Sequence, residues 1–327
     1  MFLVQQLSVR AQLIALVAVL LCSQANTVKA ENMLSLSVSD RKDQLDWNIA
    51  GSYWGGSPNV LSELTWRDMG FTQVKAELTG HAASQLYYRA SLATGWVQDG
   101  ENQDSDYAGD NRTLEFSRTI NGVGDSSVWD ISAGIGSAQR FGQEDQHTVV
   151  PMIGYSIHQQ DLRMTDANQV VSNTPLAQTL DPSLVVPPLG PFAGLDSSYQ
   201  TEWRGFWFGL DVNWDMDKYG FAFLRMEYHK IDFTAEANWN LRSDFAHPVS
   251  FEHIANGAGQ VLELGWRIPL NRLKWGLGVS VSRQTWQTDA GVDTTYFADS
   301  SIGITRVNEV NWTSKSINVI LSRMFMM

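Results

Sequence analysis

Apolar and polar residues alternate along several stretches of the chain. The clearest are "MLSLSVSD" at 33–40, "TQVKAELTG" at 72–80 and "SKSINVILSRMFMM" at 314–327. Because successive side chains of a β-strand point to opposite faces, a period of two predicts strands with one apolar and one polar face. A soluble β-sandwich produces the same period, so alternation predicts an all-β fold without deciding what covers the apolar face.

The links between the predicted strands alternate in length. The strand segments are 33–51, 60–80, 86–99, 113–121, 127–141, 148–163, 200–215, 219–238, 259–284 as a hairpin about Asn271, and 311–326. The short polar links are 121–127, 215–220 and 269–273, and the long ones lie around 100–112, 164–199, 239–258 and 287–310. Short turns at one end and long loops at the other are typical of bacterial outer-membrane barrels. We therefore predict a ten-stranded antiparallel transmembrane β-barrel with short periplasmic turns and long extracellular loops.

Tryptophan is unusually abundant, with 13 residues in the chain. Amphipathic aromatic rings suit the two membrane–water interfaces of a barrel, so we predict that most of them form girdles. The predicted girdle residues are Trp47, Trp54, Trp66, Trp96, Trp203, Trp207, Trp214, Trp266, Trp275 and Trp312. The Pro-rich segment 164–199 has no strand period and is predicted to be an extended arm, a lid or a plug.

The first residues of the chain are typical of a secretory signal. Arg10 precedes the apolar stretch "AQLIALVAVLLC" at 11–22, and Val28-Lys29-Ala30 fits a small-x-small cleavage site. The apolar stretch is shorter than the roughly 20 residues that a membrane-spanning helix needs. We predict a signal peptide at 1–30 and a barrel domain at 31–327, with a lipid anchor on Cys22 as the alternative. Cleavage after Ala30 leaves no cysteine, and therefore no disulfide.

The charge balance narrows the possible partners. Removing Arg10 and Lys29 lowers Lys+Arg from 23 to 21 while Asp+Glu stays at 35, so the mature net charge is 21 − 35 = −14. Nucleic-acid binding needs clustered Lys and Arg, so this balance argues against it. A strongly acidic surface favours cations and basic peptides as partners.

Acidic residues are concentrated in "ENQDSDYAGDN" at 101–111, which contains no Lys or Arg. Asp104 and Asp106 have i, i+2 spacing, so both side chains of a strand would point to one side. Three interpretations remain open: a catalytic pair, a cation site, or a hydrated acidic loop. A possible Ca²⁺ site would use Asp104, Asp106, Asp110 and Glu115, although Ala108 replaces an expected ligand of a calcium loop and no helices flank it.

Four sequence strings carry a family resemblance. "QLDW" at 44–47, "NVLSELTW" at 59–66, "DSDYAGDNR" at 104–112 and "DFAHPVSFEH" at 244–253 resemble the Protochlamydia-type outer-membrane proteins, which are regarded as porin-like. In barrel form the chain also resembles the omptins, the outer-membrane proteases. That resemblance implies an Asp pair at Asp104 and Asp106 and an Asp–His pair at Asp244 and His247.

The second omptin pair departs from the pattern. Omptins carry Asp-x-His, whereas Asp244 precedes His247 by three positions, so on a regular strand the two would face opposite sides. Only a turn or bulge would bring them together, and Pro248 indicates a turn. Glu252 and His253 form a second acid–base candidate, but adjacent strand residues also face opposite ways.

These observations predict an integral outer-membrane barrel with an acidic extracellular mouth. The predicted role is porin-like at the surface, with at most narrow, cation-leaning permeation. A polar path would be lined by Glu63, Arg67, Lys75, Glu77, Arg89 and Glu227. The alternative is an omptin-like aspartate/histidine endopeptidase that cleaves basic peptides. We expect outer-membrane lipid and lipopolysaccharide as partners.

Overall fold

A computed structural model describes residues 31–82, 85–143, 146–270 and 274–326. The predicted signal peptide at 1–30 and the predicted hairpin centre at Asn271 lie outside these residues. The strands are β1 (Glu31–Ile49), β2 (Ser62–His81), β3 (Leu86–Gly109), β4 (Thr113–Gly122), β5 (Ser127–Ser137), β6 (Gln139–Phe141), β7 (His147–Ser172), β8 (Gly190–Pro191), β9 (Ser197–Asp215), β10 (Phe221–Asn238), β11 (Phe251–Leu270), β12 (Trp275–Thr288), β13 (Gly291–Tyr296) and β14 (Ile302–Met326).

The strands form one antiparallel sheet that closes on itself. β1 pairs with β2 along one edge and with β14 along the other, so the first and last strands meet at a seam. β4 and β5 together fill one position between β3 and β7, and β12 and β13 fill one between β11 and β14. Within the described residues the ring therefore has about 10 strand positions, which confirms the ten-stranded antiparallel barrel.

The predicted turn at 121–127 is wrong. "NGVGDSS" contains strong turn residues, but here they form a local irregularity inside one barrel strand rather than a hairpin. Ser126 donates its hydroxyl to the carbonyl of Val123 at 2.7 Å, and Asp125 adopts a positive φ of 60°. The strand then continues as β5. With the hairpin at 259–284 counted as two strands, the segments predicted from the sequence number eleven. Because β4 and β5 form one strand of the barrel, the number falls to ten.

The two ends of the barrel differ in their connections. At the end where β1 begins and β14 ends, β2 is followed by β3, β6 by β7, β9 by β10 and β11 by β12. Links 50–61, 110–112, 173–196, 239–250 and 297–301 lie at the other end. The long loops predicted from the sequence are longer than the observed ones, because β3, β7, β11 and β14 extend into the predicted loop segments. A strand needs about 9–11 residues to cross a bilayer, so strands such as the 26-residue β7 project well beyond it.

The apolar face of the strands changes sides along the barrel. On β1, Leu34, Leu36 and Val38 are exposed on the outer surface, whereas Leu45 and Trp47 are buried inside. The side-chain alternation itself does not change between these positions. This is the pattern of a barrel whose first half faces a membrane and whose second half faces water, because apolar residues then point outward in one and inward in the other.

This reversal corrects the predicted tryptophan girdle. Trp54, Trp96 and Trp266 are exposed, but half of the predicted girdle residues are buried inside the barrel. The buried ones are Trp47, Trp66, Trp203, Trp207 and Trp312. Gly154 makes room for one of them, because a Cβ there would lie 2.3 Å from the Trp207 ring. Trp286 is buried as well, so six of the 13 tryptophans lie inside the barrel.

The segment between β7 and β9 packs at the rim. It begins with the short helix α1 (Thr174–Ala177), whose first turn is capped by the Asn173 side chain accepting from the Leu176 amide at 3.1 Å. Ala177 and Val186 pack against Phe116 at the start of β4. No helix in the described part of the chain has the length and apolar character needed to cross a membrane.

Candidate functional site

Asp104 and Asp106 lie near the extracellular end of β3 and point into the barrel mouth. Leu64 on β2 is buried inside the barrel, and its cross-strand partner is Asp104. The partner of Asp106 is Ser62. Residues directly opposite each other in an antiparallel pair share a face, so both carboxylates lie on the inner side. The i, i+2 spacing thus places them together as the sequence predicts.

Both carboxylates hold their protons more tightly than a free aspartate. Burial raises the pKa of Asp106 to about 6, although a hydrogen bond from Ser62 and the nearby Arg242 guanidinium act in the opposite direction. Burial, and then the charge of Asp106, raise the pKa of Asp104 well above its usual range, and Arg242 again opposes the shift. The two groups therefore titrate as an interacting pair.

Arg242 is held at the mouth by its own loop, 239–250. Its guanidinium makes two bonds to the Asp244 carboxylate, at 2.9 Å and 2.7 Å, and lies 4.1 Å from the centre of the Phe245 ring. The pKa of Asp244 is lowered, mainly by this hydrogen bonding. The Asp244 carbonyl accepts from the Ala298 amide at 2.9 Å, which ties the loop to 297–301.

The predicted Asp244–His247 contact does not form. Asp244 bonds Arg242, while His247 faces the Asn238 side chain through Nδ1 at 2.8 Å and the Arg242 carbonyl through Nε2 at 3.2 Å. Asp244 and His247 lie at the mouth in loop 239–250, which also contains Arg242. The turn indicated by Pro248 is present, but it directs His247 to the base of the loop instead of to a carboxylate.

Glu252 and His253 also lie apart, on opposite faces of β11. Glu252 accepts a hydrogen bond from the Tyr296 hydroxyl at 3.1 Å. His253 is completely buried, with Nδ1 2.9 Å from the Tyr199 hydroxyl and Nε2 3.3 Å from the Asp293 carboxylate. Sequence spacing could not reveal this Tyr–His–Asp cluster, because its members come from three strands.

The four residues of the predicted calcium site are not brought together as a set of ligands. Asp110 accepts from the backbone amide of Asn59 at 2.8 Å, and Glu115 makes a two-bond pair with Arg118 at 2.8 Å. Among the described residues, no group of three or more His, Cys, Asp or Glu is placed to hold a metal ion. Only Asp104 and Asp106 of this set face the mouth together.

Beneath the mouth, aromatic rings fill the barrel in two levels. In the upper level Trp66 stacks on Tyr199 with ring centres 5.4 Å apart, and Trp47 lies edge-on to His253 at 4.8 Å. In the lower level the rings of Trp286 and Trp312 stack 5.3 Å apart, beside Trp203. These side chains are almost completely buried, so they close the lumen below the acidic pair.

The lumen below the rings is filled by charged side chains. Arg225 bonds Glu77 at 2.6 Å and 2.7 Å and Glu263 at 3.2 Å. Arg89 bonds Glu227 and lies 3.5 Å from Asp211. Of the six residues predicted to line a polar path, Glu77, Arg89 and Glu227 thus belong to ion pairs, and Lys75 lies 3.1 Å from Glu77.

A second group of charges crosses the lumen beside the first. Arg41 bonds Asp43 at 2.7 Å and Asp130 at 2.8 Å, and Asp130 also bonds Nδ1 of His158 at 2.8 Å. A cavity of about 110 Å³ remains among these residues, room for several waters. The prediction that Glu63 and Arg67 line the path is wrong, because both side chains face outward. There Glu63 pairs with Arg112, and Arg67 pairs with Glu101.

One solved outer-membrane structure has the same fold as this chain. OmpT from Escherichia coli, an outer membrane protease, aligns with 93% of this chain and 99% of its own at a TM-score of 0.70 and 10% identity. The translocator domain of the autotransporter NalP from Neisseria meningitidis aligns with 97% of this chain and 96% of its own at a TM-score of 0.35 and 10% identity. At these identities the likeness to OmpT concerns the fold. No curated protein sequence matches the chain.

The family assignment comes from the sequence itself. The model of the Protochlamydia outer membrane protein family matches residues 35–325, which includes every barrel strand described above in whole or in large part. This match confirms the resemblance carried by the four strings and places the barrel in the outer membrane of a Gram-negative envelope. The chain belongs to the Protochlamydia outer membrane protein family.

Proposed function

We propose that this outer-membrane barrel is a sealed surface protein whose acidic mouth binds cationic side chains of basic peptides. The observation that carries the proposal is the inward-facing pair Asp104 and Asp106 above a lumen closed by aromatic rings. A ligand can reach the carboxylates from outside but has no open path beneath them. The net charge of −12 for the whole chain adds a long-range attraction for basic partners.

Arg242 supports the choice of a cationic ligand. The charge of its guanidinium opposes the rise in the pKa of both mouth carboxylates, so a positive group already stabilises their ionised forms. Arg242 belongs to an exposed loop, with 43% of its side chain accessible, and can be displaced without unfolding a strand. A basic ligand would take the place of this internal guanidinium, and guanidinium–carboxylate pairing gives the contact its specificity.

Ligand binding is expected to depend on the mouth carboxylates. Asp104→Asn/Asp106→Asn should weaken binding of a fluorescent Arg-rich peptide at least about tenfold, the effect of losing one charge-assisted contact. Arg242→Gln should tighten it, because the internal competitor is lost. Asp217→Asn removes an acid from the periplasmic end and serves as the matched control. Fluorescence anisotropy on refolded protein measures all four affinities, and equal affinity of wild type and the double variant would contradict the proposal.

The same binding should weaken in acid. The pKa of Asp106 is raised to about 6, so its carboxyl gains a proton and loses its charge as pH falls through that value. Between the ordinary pKa of 3.8 and about 6 the folded chain holds a proton that the unfolded chain does not, so stability conferred by this group falls as pH rises through that window. Binding and stability thus change in opposite directions as pH changes. Because the pKa of Asp104 is raised as well, Asp104→Asn/Asp106→Asn should remove both changes.

The endopeptidase alternative uses the same inward-facing pair. It needs a base near these carboxylates, and His247 is engaged by Asn238 and the Arg242 carbonyl instead. The peptide experiment distinguishes the two functions, because mass spectrometry of the incubated peptide reports cleavage. Turnover that is lost in Asp104→Asn/Asp106→Asn and in His247→Ala would replace the binding proposal with proteolysis.

Passive permeation is expected to be absent. Two levels of buried rings and the ion pairs beneath them oppose even the narrow cation path that the sequence predicts. Protein inserted in planar bilayers should give no stable current steps, and a heat-modifiable band on the same preparation should show that the barrel is folded. Reproducible cation-selective steps from the folded protein would contradict a sealed lumen.

We further propose outer-membrane lipid, including lipopolysaccharide, as the surrounding partner. The exposed apolar residues of β1, β12 and β14 support contact with acyl chains. They include Leu34, Leu36, Val38, Leu277, Val279, Val281, Ile317 and Val319, each with at least 43% of its surface accessible. Calcium at the mouth stays a prediction.

A further inference from the structure

Three cationic side chains form a row on the outer surface of the barrel. Lys42 on β1 lies directly opposite Lys315 on β14, and Lys315 lies directly opposite Arg283 on β12. All three are exposed. On the outer face of β14, Lys315 is the next side chain above the exposed Ile317. On the outer face of β12, Arg283 is likewise the next side chain above the exposed Val281. The row therefore lies at the extracellular edge of the apolar belt.

This arrangement is unfavourable for the protein alone. Side chains directly opposite each other in an antiparallel pair lie about 5 Å apart at Cβ, and like charges there destabilise the pair. Within the described residues, none of the three cations makes an ion pair. Asp40 is the next outward-facing residue below Lys42 and is exposed as well, but the two side chains do not form an ion pair. The row also crosses the β1–β14 seam, where the barrel closes.

An outward-facing groove begins at the end of this row. It has a volume of about 760 Å³, and Arg283 lines one side of it. The rest of its surface is mainly apolar, from Phe208, Leu210, Met226, Tyr228 and Leu262 on β9, β10 and β11. Four of these five side chains have 39–61% of their surface exposed, so the groove lies on the outside of the barrel. Its position beside the belt suits an acyl chain.

We infer that this row and groove form a binding site for an acylated outer-leaflet lipid that carries more than one phosphate. One phosphate can bridge two neighbouring cations, and a row of three on three strands matches a headgroup with two separated phosphates. An acyl chain of the same molecule occupies the groove beside Arg283. The lipid thereby neutralises the charge repulsion across the seam and fastens β1, β14 and β12 together. The inference deepens the lipid partner proposed above and is independent of the mouth.

The test compares thermal unfolding in three surroundings. Wild-type protein is refolded in uncharged detergent alone, with added bisphosphorylated lipid A, or with added phosphatidylglycerol, which has one phosphate. We expect lipid A to raise the melting temperature by at least about 5 °C, as a tightly bound ligand of the folded state does, and phosphatidylglycerol to raise it less. High salt should reduce the lipid A effect.

The variant Lys42→Gln/Arg283→Gln/Lys315→Gln makes the test specific. In detergent alone it should melt at the same temperature as wild type or higher, because the repulsion is gone, and the rise with lipid A should be lost. Lys218→Gln, at the periplasmic end, should behave as wild type. The inference is overturned if the triple variant keeps the rise, or if phosphatidylglycerol produces the full rise in wild type. Neither outcome changes peptide binding at Asp104 and Asp106.

Discussion

Replacing Arg225 with methionine is expected to lower the free energy of unfolding of the barrel by about 3–5 kcal/mol. Arg225 is buried in the lumen, where it bonds Glu77 at 2.6 Å and Glu263 at 3.2 Å and lies 3.8 Å from Asp211. Methionine preserves much of the volume but leaves these carboxylates without their main cation. Since whole domains have only about 5–15 kcal/mol of stability, the loss is large.

A second substitution separates charge from packing. In Arg225→Met/Glu77→Gln the nearest carboxylate is neutral as well, so part of the lost stability should return. Arg204→Met is the matched control, because Arg204 pairs with Glu202 at 3.1 Å on the outer surface with 48% of its side chain exposed. Urea-dependent folding into lipid vesicles measures all three. A cost below that of the Arg204 control would show that the lumen charges do not stabilise the fold.

The buried ion pairs also show how far the lumen could be predicted from the sequence. Polar residues at alternate positions indicate a polar lumen, and the positions of Glu77, Arg89 and Glu227 inside the barrel could be predicted in this way. Their partners could not, because Arg225 and Glu77 are 148 residues apart in the chain and meet only across the closed ring. Whether lumen charges line a channel or neutralise each other depends on those distant contacts.

The barrel itself was predictable, but its extent was not. Alternation, turn residues and link lengths all indicated antiparallel strands closing into a ring. The upper parts of β3, β7, β11 and β14 were assigned to loops, because the apolar outward pattern of the membrane-spanning part ends there. The signal was present: on β1 the apolar positions change from even to odd numbers, from Leu34, Leu36 and Val38 to Leu45 and Trp47. The pairing of β1 with β2 is irregular between Asp43 and Leu45, but the extra residue belongs to β2, so the side chains of β1 keep their alternation. The change of side on β1 therefore marks the membrane boundary.

The mouth was predictable only in part. The i, i+2 spacing of Asp104 and Asp106 sufficed to place them on one face, and the strand geometry placed that face inward. Arg242 carried no distinguishing signal, since a lone arginine in a loop is ordinary. Its role follows from the fold of loop 239–250, in which Asp244 and Phe245 direct the guanidinium, and from the barrel, which brings that loop across from β3.

The second large effect is expected at the lower level of rings. Trp286→Ala and Trp312→Ala should each lower the free energy of unfolding by about 3–5 kcal/mol, the usual cost of truncating a buried aromatic side chain. Trp312 also donates its indole N–H to Asp43 at 3.0 Å, and a Cβ at Gly259 would lie 2.2 Å from the Trp286 ring. The space around these rings is therefore closely fitted to them, and little collapse can refill it.

The double variant tests whether the two rings act as one unit. Because they stack at 5.3 Å with an angle of 17° between their planes, removing one already destroys the contact, so the double loss should be smaller than the sum by about 0.5–3 kcal/mol. Trp96→Ala is the control, since Trp96 is 52% exposed on the outer surface. If Trp286→Ala lowered the free energy of unfolding no more than Trp96→Ala does, the rings in the lumen would not be closely packed. The argument for a sealed barrel would then lose its main support.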